Sequence, residues 1–85
     1  MSMKKLIKVN LRRRLMPVAI APAGREMKIK KVGAEDKVKR RLQEMGICEG
    51  GNITLISSSG GNVIVTVKEG RLCLDKNLAG KILVA

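Results

Sequence analysis

Four short runs rich in aliphatic and β-branched residues, most of them bounded by glycine, constrain what this chain can fold into. Residues 52–58, 63–68, 71–74 and 81–84 are each too short for a helix and favour extended backbone. Gly60-Gly61 separates the first two runs and Glu69-Gly70 the next two, and both pairs are tight-turn signals of the hairpin kind. Val63, Val65 and Val67 alternate, so they share one face of a strand. Residues 75–80 suit a single turn before the last strand. A chain of 85 residues has interior for one core only.

The preceding segment adds one strand and one helix. Residues 26–32 alternate imperfectly: Met27, Ile29 and Lys31 fall on one side, Lys28, Lys30 and Val32 on the other, and Gly33 breaks the pattern. Residues 17–21 read as a short extended segment, ended by Pro22 and Gly24. Residues 34–45 predict the helix, because Ala34, Val38, Leu42 and Met45 form one stripe at the helical period. Glu35 and Asp36 sit in its first turn, where carboxylates favour the positive end of the helix dipole. Lys37, Lys39 and Arg40 point away from the stripe, and Arg41 flanks it. Gly46 follows as a natural left-handed cap. The sum is a mainly β fold with one α-helix, a small closed or partly open barrel that protects most strand edges.

Composition narrows the chemistry by what it lacks. The chain has no Phe, Tyr, Trp or His. Without histidine the usual imidazole base and metal ligand are missing. Without aromatics there is no platform for stacking single-stranded bases, and no aromatic groove for proline-rich peptides. Two cysteines, Cys48 and Cys73, do not make a disulfide framework and read as reduced thiols of a cytosolic protein. The net charge of +11 lies entirely within residues 1–41, while residues 42–85 balance four basic against four acidic side chains. Such asymmetry suits an acidic protein, nucleic acid or an anionic membrane surface.

Residues 1–15 are expected to form a basic, flexible N-terminal arm distinct from a domain over residues 16–85. If helical, the arm would line up Met3, Ile7 and Leu11 on one face, as a surface-binding amphipathic helix does; a solvated tail is the plainer expectation. Residues 15–21 contain a short apolar run, but Pro17 interrupts it and basic residues fill the segment before it, so a secretion signal is not expected. No stretch approaches the ~20 apolar residues a membrane-spanning helix needs.

One string carries a family resemblance. Arg40-Arg41-Leu42-Gln43-Glu44-Met45-Gly46-Ile47, followed by Glu49-Gly50 and a strand from Asn52, resembles the RRLxEMGIxxG signature of the ferrous iron transport protein A family. The closing residues Gly70-Arg71-Leu72-Cys73-Leu74, Leu78-Ala79 and Lys81-Ile82-Leu83-Val84 are similar to that family's last strands. The resemblance covers residues 16–85. It implies a small SH3-like β-barrel, related to the C-terminal domain of iron-dependent repressors, a cytoplasmic location, and no enzymatic activity or cofactor. It also implies a partner: the membrane ferrous iron permease, which carries a GTP-binding domain on its cytoplasmic side.

The residues that would meet such a partner are Lys37, Arg40 and Arg41 on the helix, with Ile47 in the loop that follows, as an exposed apolar anchor or equally a buried residue, and Glu49 beyond it. Leu42, Met45, Gly46 and Gly50 are read as fold determinants. Cys48 and Cys73, with Glu44, Glu49 and Asp75 as oxygen donors, are the candidates for a metal site, but histidine and CxxC spacing are both missing, so no metal site is expected. No GxxxxGK[ST] or GxGxxG loop occurs, and Ser57-Ser58-Ser59 reads as a loop rather than a nucleophile. The competing function is a small basic SH3-like nucleic-acid-binding protein, disfavoured by the missing aromatics and by the neutral β half. Self-association through an aliphatic strand edge, and docking of the arm on an anionic membrane, remain open.

Overall fold

Residue Ile29 is fully buried, in a strand that pairs with a neighbour on each side. The computed structural model describes residues 15–68 and 70–85. Six strands run in chain order: β1 (Met16–Pro17), β2 (Glu26–Val32), β3 (Asn52–Ser59), β4 (Asn62–Val67), β5 (Gly70–Leu74) and β6 (Ile82–Val84). They form one sheet in the order β1-β6-β2-β3-β4-β5, with antiparallel pairing throughout. Helix α1 (Asp36–Glu44) lies between β2 and β3, and the short helix α2 (Lys76–Lys81) between β5 and β6.

The imperfect alternation of β2 has a structural cause. Its register against β6 slips between Ile29 and Lys31, so Lys30 is taken up in a bulge. A bulge adds one residue to one strand and bends it, which resets the inside–outside alternation. Ile29 and Val32, three positions apart, consequently both face inward, and Lys28, Lys30 and Lys31 are all exposed. The bent strand serves two neighbours. Glu26, Met27 and Lys28 pair with β3, whereas Ile29, Lys31 and Val32 pair with β6. A second slip, between Leu55 and Ser57, leaves Ile56 partly exposed in β3.

The two-residue turn Gly60-Gly61 joins β3 to β4, and Ser59 faces Asn62 across it. Both glycines have positive φ, 60° and 91°, the combination that matches hairpin twist. Here the backbone also comes close to α2: a Cβ on Gly61 would stand 2.9 Å from the Cβ of Lys76.

Fifteen buried aliphatic side chains make a single core drawn from every strand except β1, from both helices, from the loop after α1 and from the 3-10 turn Val18–Ile20. No charged or polar side chain is buried among the described residues. The turn corrects the extended reading of residues 17–21: only Met16 and Pro17 are strand, and the chain then coils once so that Val18 and Ala21 enter the core. Helix α1 is shorter than its apolar stripe, running Asp36–Glu44 rather than over 34–45. Residues 75–80 do more than turn once: α2 extends over six residues, with Asp75 at its N-cap accepting from the Leu78 N–H at 2.9 Å. Of the basic arm, only Leu15 lies within the described residues.

Candidate partner-binding surface

Helix α1 divides its side chains cleanly. Leu42 is buried at 1% exposure, with Val38 and Met45 half-buried beside it, and all three share the stripe that docks on the barrel. Burial of a leucine stabilises the docked helix by roughly 1.5–3 kcal/mol. On a face beside this stripe Lys37, Arg40, Arg41 and Glu44 are exposed, at spacings of three, four and seven that put them together. Lys37, Arg40 and Arg41 form no ion pair with any described residue, so their charge is presented to solvent.

The helix ends in a glycine cap that fixes the following loop. The Gly46 N–H donates to the Gln43 carbonyl at 3.0 Å, and the Ile47 N–H to the Leu42 carbonyl at 2.8 Å. Gly46 has φ 95°, a conformation that costs other residues dearly. In this kind of cap the residue after the glycine packs back on the last turn. Ile47 does so, at 0% exposure within the same core as Leu42. Of the two expectations for Ile47, an exposed anchor or a buried residue, the structure has the buried one, and an exposed anchor is ruled out. The L-x-x-x-G-I spacing was a signal for that burial.

The rest of the loop is laced to β2. The Gly50 N–H donates to the Ile29 carbonyl at 2.8 Å, and the Ile29 N–H to the Gly51 carbonyl at 2.8 Å. Gly50 therefore acts as a fold determinant together with Leu42, Met45 and Gly46. Glu49 is exposed, and its Oε2 lies 3.8 Å from Lys39 Nζ, tying the loop to the helix from outside. Lys37, Arg40 and Arg41 thus share one helix face, and Glu49 meets the helix at Lys39.

The reactive side chains are dispersed. Cys48 is half-buried in the loop after α1 and Cys73 is exposed on β5, both as free thiols. Cys48 borders a groove of about 550 Å³ near Glu26 and Lys68, and Cys73 a different one of about 610 Å³ beside Ser57 and Asp75. Among the described residues no three of the Cys, Asp and Glu side chains converge as a metal-ligand set would. Asp75 is occupied as a helix cap, and Glu49 faces Lys39. One contact was not anticipated: Asn62 Oδ1 accepts from the Lys76 N–H at 3.0 Å, so the β3–β4 hairpin end helps hold α2 in place.

A six-stranded antiparallel sheet around an aliphatic core, with one main helix that contributes Leu42 to that core, defines the chain as a small SH3-like β domain. A crystal structure of the iron uptake regulatory protein FeoA has this architecture: it is 22% identical, with a TM-score of 0.75 over 84% of this chain and 96% of that one. A manganese-dependent transcriptional repressor shares the fold at 15% identity and a TM-score of 0.72, over 84% of this chain and 41% of that one. The FeoA domain family model matches residues 16–85. A protein of Methanocaldococcus jannaschii assigned as an Fe(2+) transport protein A is 34% identical over 70 residues, which is 82% of this chain and 85% of that protein. The chain belongs to the FeoA domain family, small accessory proteins associated with ferrous iron transport. No helix among the described residues is long and apolar enough to cross a membrane.

Proposed function

We propose that this protein is a cytoplasmic accessory and regulatory subunit that binds the GTP-binding part of a membrane ferrous iron permease. The observation that carries the reading is the face of α1: three cations with no ion-pair partner among the described residues stand beside the stripe that docks the helix on the core. Rigid mounting matters, because a surface that needs no ordering loses less on association. Exposed cations of this kind steer a partner with an acidic patch and raise the association rate more than they raise affinity. Arg40 and Arg41 each offer a planar fork for a partner carboxylate. Ile47 contributes from within by fixing the loop that carries Glu49. Binding and positioning are the chemistry supported by this arrangement of side chains, with any nucleotide hydrolysis left to the permease.

The test is binding to the isolated cytoplasmic GTPase domain of the permease, comparing wild type with Arg40→Glu/Arg41→Glu. Affinity should fall at least about tenfold at low salt, mostly through the association rate. Undiminished binding by the double charge reversal would remove this face from the reading.

A further inference from the structure

Among the described residues the sheet ends at β5 on one side and at β1 on the other. The two edges differ in what they can accept. β1 is two residues long, and its Pro17 has no N–H to give. β5 carries no proline, no bulge and a single charge, so the devices that blunt a strand edge are missing from it. Asp75, at the N-cap of α2, keeps extended backbone (φ −74°, ψ 167°) and continues the strand by one residue. The hairpin registers fix which backbone groups face the open side. Ser59 and Asn62 close one two-residue hairpin, and Val67 and Gly70 close the next. A closing pair is hydrogen-bonded, and from there the N–H and C=O groups alternate between the two sides of a strand. Counted from either hairpin, Leu72 and Leu74 turn theirs to β4, whereas Arg71 and Cys73 turn theirs away from it.

We propose that two copies of this chain pair through β5, antiparallel, about a two-fold axis at Cys73. A two-fold interface needs a surface that complements itself. Edge-facing backbone groups must meet edge-facing groups, which limits the axis to residue 72, 73 or 74. Charge then selects Cys73, because Arg71-Leu72-Cys73-Leu74-Asp75 is its own complement when reversed. Arg71 stands opposite Asp75 of the partner subunit, Leu72 opposite Leu74 of the partner subunit, and the two Cys73 residues face each other. An axis one residue away loses both ion pairs. Asp75 uses Oδ1 to cap α2, and its other carboxylate oxygen has no partner among the described residues. Leu72, half-buried against the core, gains cover from the second strand. The contact also falls in the half of the chain, residues 42–85, where basic and acidic side chains balance, so the copies meet away from the cationic half. A strand of another protein would not bring this mirrored order with it. The proposal does not rest on the permease reading, because the chain alone tests it.

The experiment is sedimentation equilibrium of the full chain, from micromolar to about millimolar concentration, at about 0.15 M salt. Wild type should pass from monomer to dimer. Arg71→Glu replaces both ion pairs with like-charge pairs, so the dimer Kd should rise at least about tenfold. Asp75→Lys alone should do the same. An equimolar mixture of these two variants regains both ion pairs in the mixed dimer and should associate more tightly than either variant by itself. Cys73→Lys sets two cations against each other at the axis and should leave a monomer. Arg71 and Cys73 lie outside the core, so circular dichroism of their variants should match wild type. Asp75→Lys removes a helix cap, and if it fails to fold, the Arg71→Glu and Cys73→Lys variants still decide. Three results would overturn the proposal: a wild-type monomer at every concentration, a dimer unaffected by both Arg71→Glu and Cys73→Lys, or a mixture of folded Arg71→Glu and Asp75→Lys proteins no tighter than its components.

Discussion

The Ile47 N–H reaches back over the end of α1 to the Leu42 carbonyl, 2.8 Å away, and the side chains of both residues lie in the core at 0% and 1% exposure. This pair converts a helix end into a fixed corner. It sets the direction of the loop to β3 and leaves the neighbouring face of α1, with Lys37, Arg40 and Arg41, exposed.

Truncation at this corner should be costly. Ile47→Ala removes buried methyl groups from a packed site and is expected to destabilise the fold by about 2–5 kcal/mol. Urea unfolding would read this as a lower midpoint with an unchanged slope. An effect below about 0.5 kcal/mol would be the behaviour of a surface residue and would contradict the burial of Ile47.

Two glycine substitutions should have opposite signs. Gly46 sits at φ 95°, so Gly46→Ala forces a left-handed conformation and should cost about 1–2 kcal/mol. Gly80 lies in α2 with no atom within 4 Å of the position a Cβ would take. Gly80→Ala should stabilise by about 0.4–1 kcal/mol by restricting the unfolded chain. Thermal denaturation of the two variants beside wild type checks both signs at once.

The start of α2 depends on two side-chain acceptors, Asp75 Oδ1 on the Leu78 N–H and Asn62 Oδ1 on the Lys76 N–H. Asp75→Ala should cost about 1 kcal/mol as the loss of an N-cap. Asn62→Ala should cost about 0.5–1.5 kcal/mol, the worth of one hydrogen bond. The two acceptors serve the same turn, so the double variant is expected to depart from additivity, as a double-mutant cycle in chemical denaturation would show.

The ion pair between Lys39 and Glu49 spans 3.8 Å with both side chains substantially exposed. Its coupling energy in a double-mutant cycle should stay below about 1 kcal/mol. The coupling should fade in about 1 M salt, where screening acts over about 3 Å. Coupling that persisted at that salt would mark a pair shielded from solvent.

The thiols should behave independently. Cys73 is exposed and Cys48 half-buried, so a thiol reagent should modify Cys73 first. Calorimetry with Zn²⁺ or anaerobic Fe²⁺ is expected to show no stoichiometric binding at submicromolar affinity. Binding of that strength, lost in Cys48→Ser or Cys73→Ser, would reverse the reading of these residues.

Much of the architecture could be read from local patterns. The alternation of Val63, Val65 and Val67 and the Gly60-Gly61 pair announced a hairpin, because a strand's inside and outside faces repeat every second residue and a tight turn needs positive φ. The Ala34, Val38, Leu42 and Met45 stripe announced α1 for the equivalent helical reason, and the double-arginine string pointed to the family. These features depend on neighbours in the chain, so linear order contains them. What depended on distant partners was harder to see. The bulge at Lys30 arises because β2 must bend to pair with both β3 and β6, and it brings Ile29 and Val32 to the same interior. Asn62 acquires its role only when α2 comes to rest beside the hairpin. Ile47 stood between the two cases: its spacing from Leu42 and Gly46 was visible, but its burial followed from α1 lying on a core supplied by strands far along the chain. Close packing is a property of surfaces brought together, and no single segment carries both sides of the contact.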